Sequence, residues 1–228
     1  MTRWVAARHD GRVLIDHFPL YGLRLRTPRL ELRLPSPDEL AALADVAADG
    51  IHDREVMPFL VPWTDRPPAE VARGVVQYHW LQLGSWTPEN WSLNLTVFHD
   101  GVIVGTQSVE ATDLAVTRQV QTGSWLGRRY QGQGIGTEMR AAVLHLAFQG
   151  LGVDEAASSA FGDNPASRAV SAKLGYEEDG IERRAIRGAL TIDHRLRLTR
   201  ERWERHRAIP VTIDGLTACL PMFGLGGN

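Results

Sequence analysis

The most informative part of the chain reads Arg128-Arg129-Tyr130-Gln131-Gly132-Gln133-Gly134-Ile135-Gly136-Thr137. A strand-like segment, residues 120–126, precedes it, and apolar residues after it recur with the helical period on one face. A strand, a glycine turn and a helix in this order direct several backbone N–H groups and the positive helix end to one point. Such a point binds phosphate, because glycines let a ligand approach the backbone where a Cβ would block it.

Three known types of phosphate-binding loop could account for this glycine-rich sequence. A nucleotide P-loop ends in Gly-Lys-Ser/Thr, and the chain's only lysine, Lys173, lies far downstream, so this type is excluded. A dinucleotide fingerprint requires a third glycine where Thr137 stands and a βαβ unit at the start of the chain, and both are missing from the pattern. The third pattern, Gln/Arg-x-x-Gly-x-Gly/Ala, is matched by Gln131, Gly134 and Gly136. It resembles the pyrophosphate loop of the GNAT superfamily, the acyl-CoA-dependent N-acyltransferases; a tight turn without a ligand is the structural alternative.

A second motif points to the same family. Residues 163–176 read Asp-Asn-Pro-Ala-Ser-Arg-Ala-Val-Ser-Ala-Lys-Leu-Gly-Tyr. Asn164 is a good N-cap, Pro165 suits the first helical position and Gly175 suits the C-terminal turn, so a short helix is predicted. The pattern is similar to the family's fourth-helix signature, and two motifs in the family's order are more specific than either alone.

The resemblance extends in weaker form over residues 23–207 and is closest to the ribosomal-protein N-terminal acetyltransferase branch. That branch opens with a strand like the one at residues 27–34, and it closes with an Asp-His strand and Leu-Thr-Arg-Glu-x-Trp, here residues 193–194 and 198–203. Residues 57–64 also look like an actinobacterial subset, one member of which is considered to use succinyl-CoA.

The coarse pattern predicts a mixed α/β domain. Strands are expected at 23–34, 91–98, 102–109, 120–126, 155–161, 177–187 and 190–198, and helices at 36–48, 69–83, 134–149 and 165–174. The resemblance implies a mixed, largely antiparallel sheet that is splayed in the middle, between the strand ending at Leu126 and the next strand, and flanked by helices. It places the pantetheine arm of the cofactor in that splay.

The length of 228 residues suits one generous domain. We expect an N-terminal extension over residues 1–20 with a hairpin near Asp10-Gly11, a GNAT acyltransferase domain over residues 21–207, and a tail over residues 208–228. The tail is too apolar for a disordered segment, so it is expected to pack on the domain or on a partner subunit. A homodimer or higher homo-oligomer is the expected assembly.

Composition indicates a globular enzyme. Hydrophobic residues make up 43% and charged residues 23%, both near globular averages, and a net charge of −2 argues against a protein built to hold nucleic acid. The single cysteine, Cys219, excludes an internal disulfide and a cysteine-based metal cluster. Without a signal peptide or an apolar run of membrane-spanning length, we expect a cytoplasmic protein that needs no metal and no membrane.

The resemblance also implies the residues that hold the cofactor, acetyl-CoA or another acyl-CoA. They are Trp125 and Leu126 beside the thioester, Gln131, Gly132, Gln133, Gly134, Ile135, Gly136 and Thr137 at the pyrophosphate, and Asn164 and Ser167 on the fourth helix.

Acyl transfer to an amine requires a neutral amine and a proton for the leaving thiolate. Deprotonating an α-amine of pKa about 8 at pH 7 costs only ~1.4 kcal/mol, against ~4.6 kcal/mol for a lysine amine of pKa about 10.4. A carboxylate linked to the amine through water is therefore a sufficient base, and the candidates are Glu110 and Asp193. Glu110 could instead be a solvated residue at a strand end, and Asp193 could instead make a structural hydrogen bond. The family's usual tyrosine acid is replaced by Ser171. The leaving thiolate could receive its proton from Ser167, from Ser171 or from water. Ser171 could instead only pack in the protein interior.

The long irregular segment at residues 50–68 supplies acceptor candidates, which are His52, Asp53, Met57, Phe59 and Trp63, and Trp125 beside the thioester is a further one. Met57, Phe59 and Trp63 could instead simply cover the sheet. A dicarboxylic acyl group would need a cation such as Arg118 or Arg168. The predicted function is transfer of an acyl group, acetyl or succinyl, from acyl-CoA to a primary amine such as a peptide N-terminus or a small amine, by direct attack in a ternary complex. A non-catalytic acyl-CoA-binding or assembly module is the alternative.

Overall fold

The computed structural model describes residues 13–226, and the hairpin predicted at Asp10-Gly11 lies outside this range. The strands are β1 (Arg24–Arg26), β2 (Leu30–Arg33), β3 (Asn90–His99), β4 (Val102–Thr112), β5 (Gln119–Leu126), β6 (Glu155–Phe161), β7 (Glu177–Ile186), β8 (Ala189–Thr199) and β9 (Thr212–Asp214). The helices are α1 (Leu14–His17), α2 (Pro37–Ala48), α3 (Pro68–Gly84), α4 (Leu114–Thr117), α5 (Ile135–His145), α6 (Pro165–Lys173), α7 (Arg200–His206) and α8 (Leu216–Cys219).

The strands of the described chain form one sheet in the order β7-β8-β6-β5-β4-β3-β2-β1-β9. Neighbouring strands are antiparallel except β5 and β6, which run parallel. Their ladder joins only residues 119–121 to residues 155–157, and from residue 122 onward β5 pairs with β4 alone. The mixed, largely antiparallel sheet with a splay between β5 and β6 is therefore confirmed.

The two faces of the sheet have different surroundings because side chains alternate along each strand. On one face, Leu93, Leu95 and Val97 join α5 in the main hydrophobic core. On the other face, α2 and α3 build a second core around Phe98. Polar side chains of β3 and β4 line a cavity on this second face, beside α3.

Several helix ends lie where capping residues predict them. The Ser36 Oγ accepts the backbone N–H of Glu39 at 3.3 Å, and the Glu39 carboxylate accepts the Ser36 N–H at 2.8 Å, which is the reciprocal capping box of α2. The prediction that α5 continues to residue 149 holds with one change of pitch, since residues 146–150 form a wider π turn.

The single strand predicted over residues 23–34 is wrong, because the chain folds back there as the hairpin β1–β2. The Thr27 N–H donates to the Leu30 carbonyl at 3.0 Å, and the Leu30 N–H donates to Thr27 Oγ1 at 3.0 Å. Pro28 between them lacks an N–H for a ladder, so Thr-Pro initiates a turn where the alternation of apolar residues suggested continuity.

The C-terminal segment packs against its own domain. Strand β9 pairs with β1 at the edge of the sheet. Phe223 is fully buried, with its ring 4.8 Å from that of Trp91, and Trp86 Nε1 donates to the Met222 carbonyl at 2.8 Å. At the other end, Leu20 is also fully buried in the main core. The core thus draws on both flanks of the segment 21–207.

Candidate active site

The glycine turn presents a row of unused backbone donors. Gly132 and Gly134 adopt left-handed φ angles of 74° and 80°, which side-chain-bearing residues rarely adopt, and α5 begins directly after them. Within residues 13–226, the N–H groups of residues 132–136 have no hydrogen-bond acceptor. These five consecutive donors stand at the positive end of α5, which is the arrangement that binds an anion such as pyrophosphate.

Arg29 stands beside this turn, a position that sequence reasoning missed. Its guanidinium pairs with Glu138 Oε2 at 2.6 Å and donates to the Gln133 carbonyl at 3.2 Å, while Thr27 Oγ1 donates to Glu138 Oε1 at 2.6 Å. Burial alone would raise the pKa of Glu138, but hydrogen bonds from Thr27 and Arg29 outweigh it and hold that pKa below its usual value. The half-exposed guanidinium of Arg29 therefore lies at the mouth of the turn, beside Gly134, and is held there by Glu138.

Gln131, a predicted cofactor residue, has its side-chain amide in use within the protein. Its Nε2 donates to the Ile51 carbonyl at 2.6 Å and to the Leu126 carbonyl at 2.9 Å. Gln133 Nε2 likewise donates to the Arg129 carbonyl at 2.8 Å. Both glutamines thus shape the turn, and its backbone is the part left for a ligand.

The splay lies next to the turn and brings two predicted site residues, Trp125 and Asp193, to the level of Phe161. Extending the parallel register from Gln121 and Ala157 by four residues sets Trp125 of β5 level with Phe161 of β6. Phe161 pairs with Asp193 of β8. Because β6 does not pair with β5 from residue 122 onward, the N–H groups on that edge of β5 can reach a thioester there.

The fourth-helix motif forms α6 with the predicted cap. Asn164 Oδ1 accepts the Ser167 N–H at 3.1 Å. The buried Ser171 hydroxyl donates to the Ser167 carbonyl at 3.0 Å and accepts from Arg140 Nη1 at 2.8 Å. The proton of Ser171 is therefore already engaged, and Ser167 is the partly exposed serine of the pair.

A cavity of about 680 Å³ opens on the face covered by α3, and Trp125 forms part of its wall. Phe59 and Trp63, two of the predicted acceptor-binding residues, line it, with ring centroids 5.2 Å apart and Trp63 6.1 Å from Trp125. Met57 has a different position. It is buried against Phe161 in a small core of its own and does not line this cavity.

Glu110 lies on the same face of β4 as the polar floor of the cavity. Its Oε2 accepts from Ser92 Oγ at 3.2 Å, and Asn94 Nδ2 donates to the same Ser92 hydroxyl at 3.1 Å, while Asn94 itself lines the cavity. Burial raises the pKa of Glu110. The pKa of Tyr78, which also lines the cavity, is raised mainly by burial and to a smaller extent by the negative charge of Glu110. A polar path therefore joins Glu110 to the cavity.

Asp193, the other candidate base, is 3% exposed, and its Oδ1 has no hydrogen-bond partner among the described residues. The predicted cations for a dicarboxylic acyl group are occupied elsewhere. Arg168 pairs with Glu178 at 2.8 Å, and Arg118 lies 3.6 Å from Asp154.

Residues 13–226 contain no group of three or more His, Cys, Asp or Glu side chains placed to hold a metal ion. Their helices include none with the length and apolarity needed to cross a bilayer.

Comparison with known proteins places this geometry in context. The family model described as "Acetyltransferase (GNAT) domain" matches residues 29–177. A curated relative from Bacillus subtilis (strain 168), named "Putative ribosomal N-acetyltransferase YdaF", is 31% identical over 87 residues, which are 38% of this chain and 47% of the relative. The chain thus spans about half the length of this curated relative.

Solved structures share the fold. The structure named "Mycobacterium smegmatis RimJ in complex with CoA-disulfide" has a TM-score of 0.63 at 20% identity, covering 87% of this chain and 92% of that one. A structure from Vibrio cholerae named "putative ribosomal-protein-serine acetyltransferase" has a TM-score of 0.59 at 20% identity, covering 77% of this chain and 97% of that one. At this identity the likeness concerns the fold.

Proposed function

We propose, since the chain belongs to the acetyltransferase (GNAT) domain family, that it transfers an acyl group from acyl-CoA to a primary amine by direct attack within a ternary complex. The family predicted from the two motifs is thereby confirmed. The observation that carries the proposed activity is the row of five free N–H groups at residues 132–136, which follows the splayed strand β5, whose Trp125 lines the 680 Å³ cavity.

Acyl-CoA would bind with its pyrophosphate on these N–H groups and with Arg29 beside it. The site fits this group because the space around Gly132 is open and the donors point to an anion. The pantetheine arm would then enter the splay, where the unpaired edge of β5 offers N–H groups to the thioester carbonyl. The donor is acetyl-CoA, with succinyl-CoA as the second candidate.

The acceptor amine would lie in the cavity lined by Phe59, Trp63 and Trp125. The relatives named as ribosomal N-acetyltransferases support a peptide N-terminus as the acceptor class, and the cavity is also large enough for a small amine. Its volume falls within the range typical of sites that bind small organic ligands, roughly 300–1,000 Å³.

Glu110 is the favoured base. Thr106 of β4 pairs with Trp125, which marks the level of the thioester, and Glu110 lies four residues further along the same strand. At ~3.3 Å per residue, Glu110 is therefore roughly 13 Å from the thioester. The amine proton would therefore travel through water along the Ser92 and Asn94 side chains. The neutral amine then attacks the carbonyl carbon, the N–C bond forms, the C–S bond breaks, and the electron pair of that bond passes to sulfur.

A pair of substitutions at Gly136 tests donor binding. A Cβ there would lie 3.7 Å from Val170 Cγ2 and 3.8 Å from Leu126 Cδ1, which is ordinary contact, so both Gly136→Ala and Gly136→Asp should fold. The aspartate puts a negative charge among the phosphate donors, so we expect it to abolish acetyl-CoA binding in calorimetry while Gly136→Ala retains it.

Equal CoA affinities in the folded Asp and Ala variants would refute the phosphate assignment. The non-catalytic alternative is tested on the wild type by following CoA release with a panel of peptide N-termini and small amines. Binding of acetyl-CoA without release by any amine would support a binding module.

A further inference from the structure

Arg140 is a buried cation without an anion beside it. The residue is 5% exposed, and no carboxylate of residues 13–226 lies within salt-bridge distance of its guanidinium. Its Nη1 donates to Ser171 Oγ at 2.8 Å, its Nη2 lies 3.5 Å from Ser124 Oγ, and its Nε has no acceptor in the described chain. A charge buried in this way is costly unless an anion compensates it, which points to a ligand.

The position of Arg140 relates it to the donor site. It follows Gly136 by four residues, so both residues lie on one face of α5, and this face contacts Val170 of α6 and Leu126 of β5. Arg140 is therefore one helical turn deeper than the phosphate-binding N–H groups. Ser124, which its Nη2 approaches, belongs to the unpaired edge of β5 and also lines the acceptor cavity. The guanidinium thus lies between the phosphate turn and the cavity, where the splay opens.

The reaction needs compensation for one negative charge in this region. When the C–S bond breaks, sulfur receives the electron pair and becomes a thiolate. The Ser171 hydroxyl cannot readily neutralise it, because that proton is donated to the Ser167 carbonyl. A fixed positive charge can replace a proton donor, since an opposite charge nearby favours the ionised form of a thiol.

We propose that Arg140 stabilises the sulfur of CoA as a thiolate while the acyl group leaves. This inference rests on the proposed function and adds to it a catalytic residue for the leaving group. The amine proton goes to Glu110, the electron pair goes to sulfur, and the thiolate departs paired with Arg140 and takes a proton from water after release. No side-chain acid is required in this scheme.

The surroundings of Arg140 leave its charge uncompensated until CoA binds. Helix α6 contributes Ser171 and β5 contributes Ser124, which are both neutral. Tyr176 is the titratable group whose charge acts on Arg140, and burial raises the pKa of that phenol, which also shares a hydrogen bond of 3.2 Å with Thr122 Oγ1. Burial therefore favours the neutral form of the Tyr176 phenol.

The test compares CoA with desulfo-CoA, which lacks the sulfur but keeps the phosphates and the pantetheine. Affinities of the wild type, Arg140→Met and Arg140→Lys are measured by calorimetry from pH 6 to 10, and thiolate formation is followed by ultraviolet absorbance. In the wild type we expect CoA, but not desulfo-CoA, to bind more tightly as pH rises, by about tenfold for each unit by which binding lowers the thiol pKa. Arg140→Met should lose this gain and keep its affinity for desulfo-CoA, and Arg140→Lys should retain part of the gain.

Two outcomes would overturn the inference. One is a bound CoA thiol that titrates in the wild type as it does in free CoA, a measurement that needs no variant to fold. The other is an equal loss of CoA and desulfo-CoA affinity in a folded Arg140→Met protein, which would indicate a purely structural arginine. Failure of the wild type to bind either ligand would instead refute the proposed function itself, together with the role of Arg140.

Discussion

At the scale of single residues, environment separates the two candidate bases. Glu110 is partly buried, its pKa is raised by burial, and it contacts the polar path to the cavity. Asp193 is almost fully buried beside Phe161, on the opposite side of the splay. A base with a raised pKa lies closer to neutrality, which favours proton transfer at physiological pH.

We therefore predict that kcat at saturating amine falls as the pH drops through the raised pKa of Glu110, because the protonated carboxyl group cannot accept a proton. Glu110→Gln should lower kcat by about 10²-fold and flatten this acidic limb. Asp193→Asn is the comparison and should keep the limb. A flat acidic limb in Asp193→Asn, with a normal one in Glu110→Gln, would assign the base to Asp193.

Residue types predicted some parts of the site better than others. Gly132 and Gly134 were identifiable because a turn of this shape needs backbone angles that glycine adopts freely. Arg140 was missed because charged residues on helices normally face solvent, and only the packing of α5 against α6 shows that this one does not. Met57 was misplaced because an apolar residue in a loop can pack on either side of a splay.

At the scale of elements, α6 joins a structural role to a binding role through its cap. Asn164→Ala removes the hydrogen bond to the Ser167 N–H, so we predict a loss of about 1 kcal/mol in the free energy of unfolding and a weaker affinity for CoA. Chemical denaturation and calorimetry measure the two effects. Thr199→Ala is the matched control, because Thr199 caps α7 through the Arg202 N–H at 3.4 Å.

The control should lose similar stability and keep its CoA affinity. If both variants bind CoA like the wild type, Asn164 has only the capping role.

Caps are also the reason that helix bounds could be predicted from sequence, since Ser36, Asn164 and Pro165 mark helix starts by local hydrogen bonding and fixed φ angles. The β1–β2 hairpin was not predicted, because alternation continues across the turn and local pattern does not show which strand pairs with which.

At the scale of the whole molecule, the C-terminal segment closes the domain. Phe223 is fully buried and packs edge-to-face against both Trp86 and Trp91. We predict that Phe223→Ala lowers the free energy of unfolding by about 3–5 kcal/mol, because it leaves a cavity among aromatic rings. Urea denaturation measures this change. Val116→Ala, at a site that is 82% exposed, should change stability by no more than about 0.5 kcal/mol. A similar small effect for Phe223→Ala would contradict a structural role for the segment.

The pairing of β9 with β1 also affects how the chain is made. Arg26 emerges from the ribosome long before its strand partner Thr212, which lies 186 residues further along the chain. At about 5–20 residues per second, this interval lasts roughly ten to forty seconds. During translation the outer edge of the nascent β1–β2 hairpin therefore stays open to pairing with other chains, and arrival of the last strand ends that period of exposure.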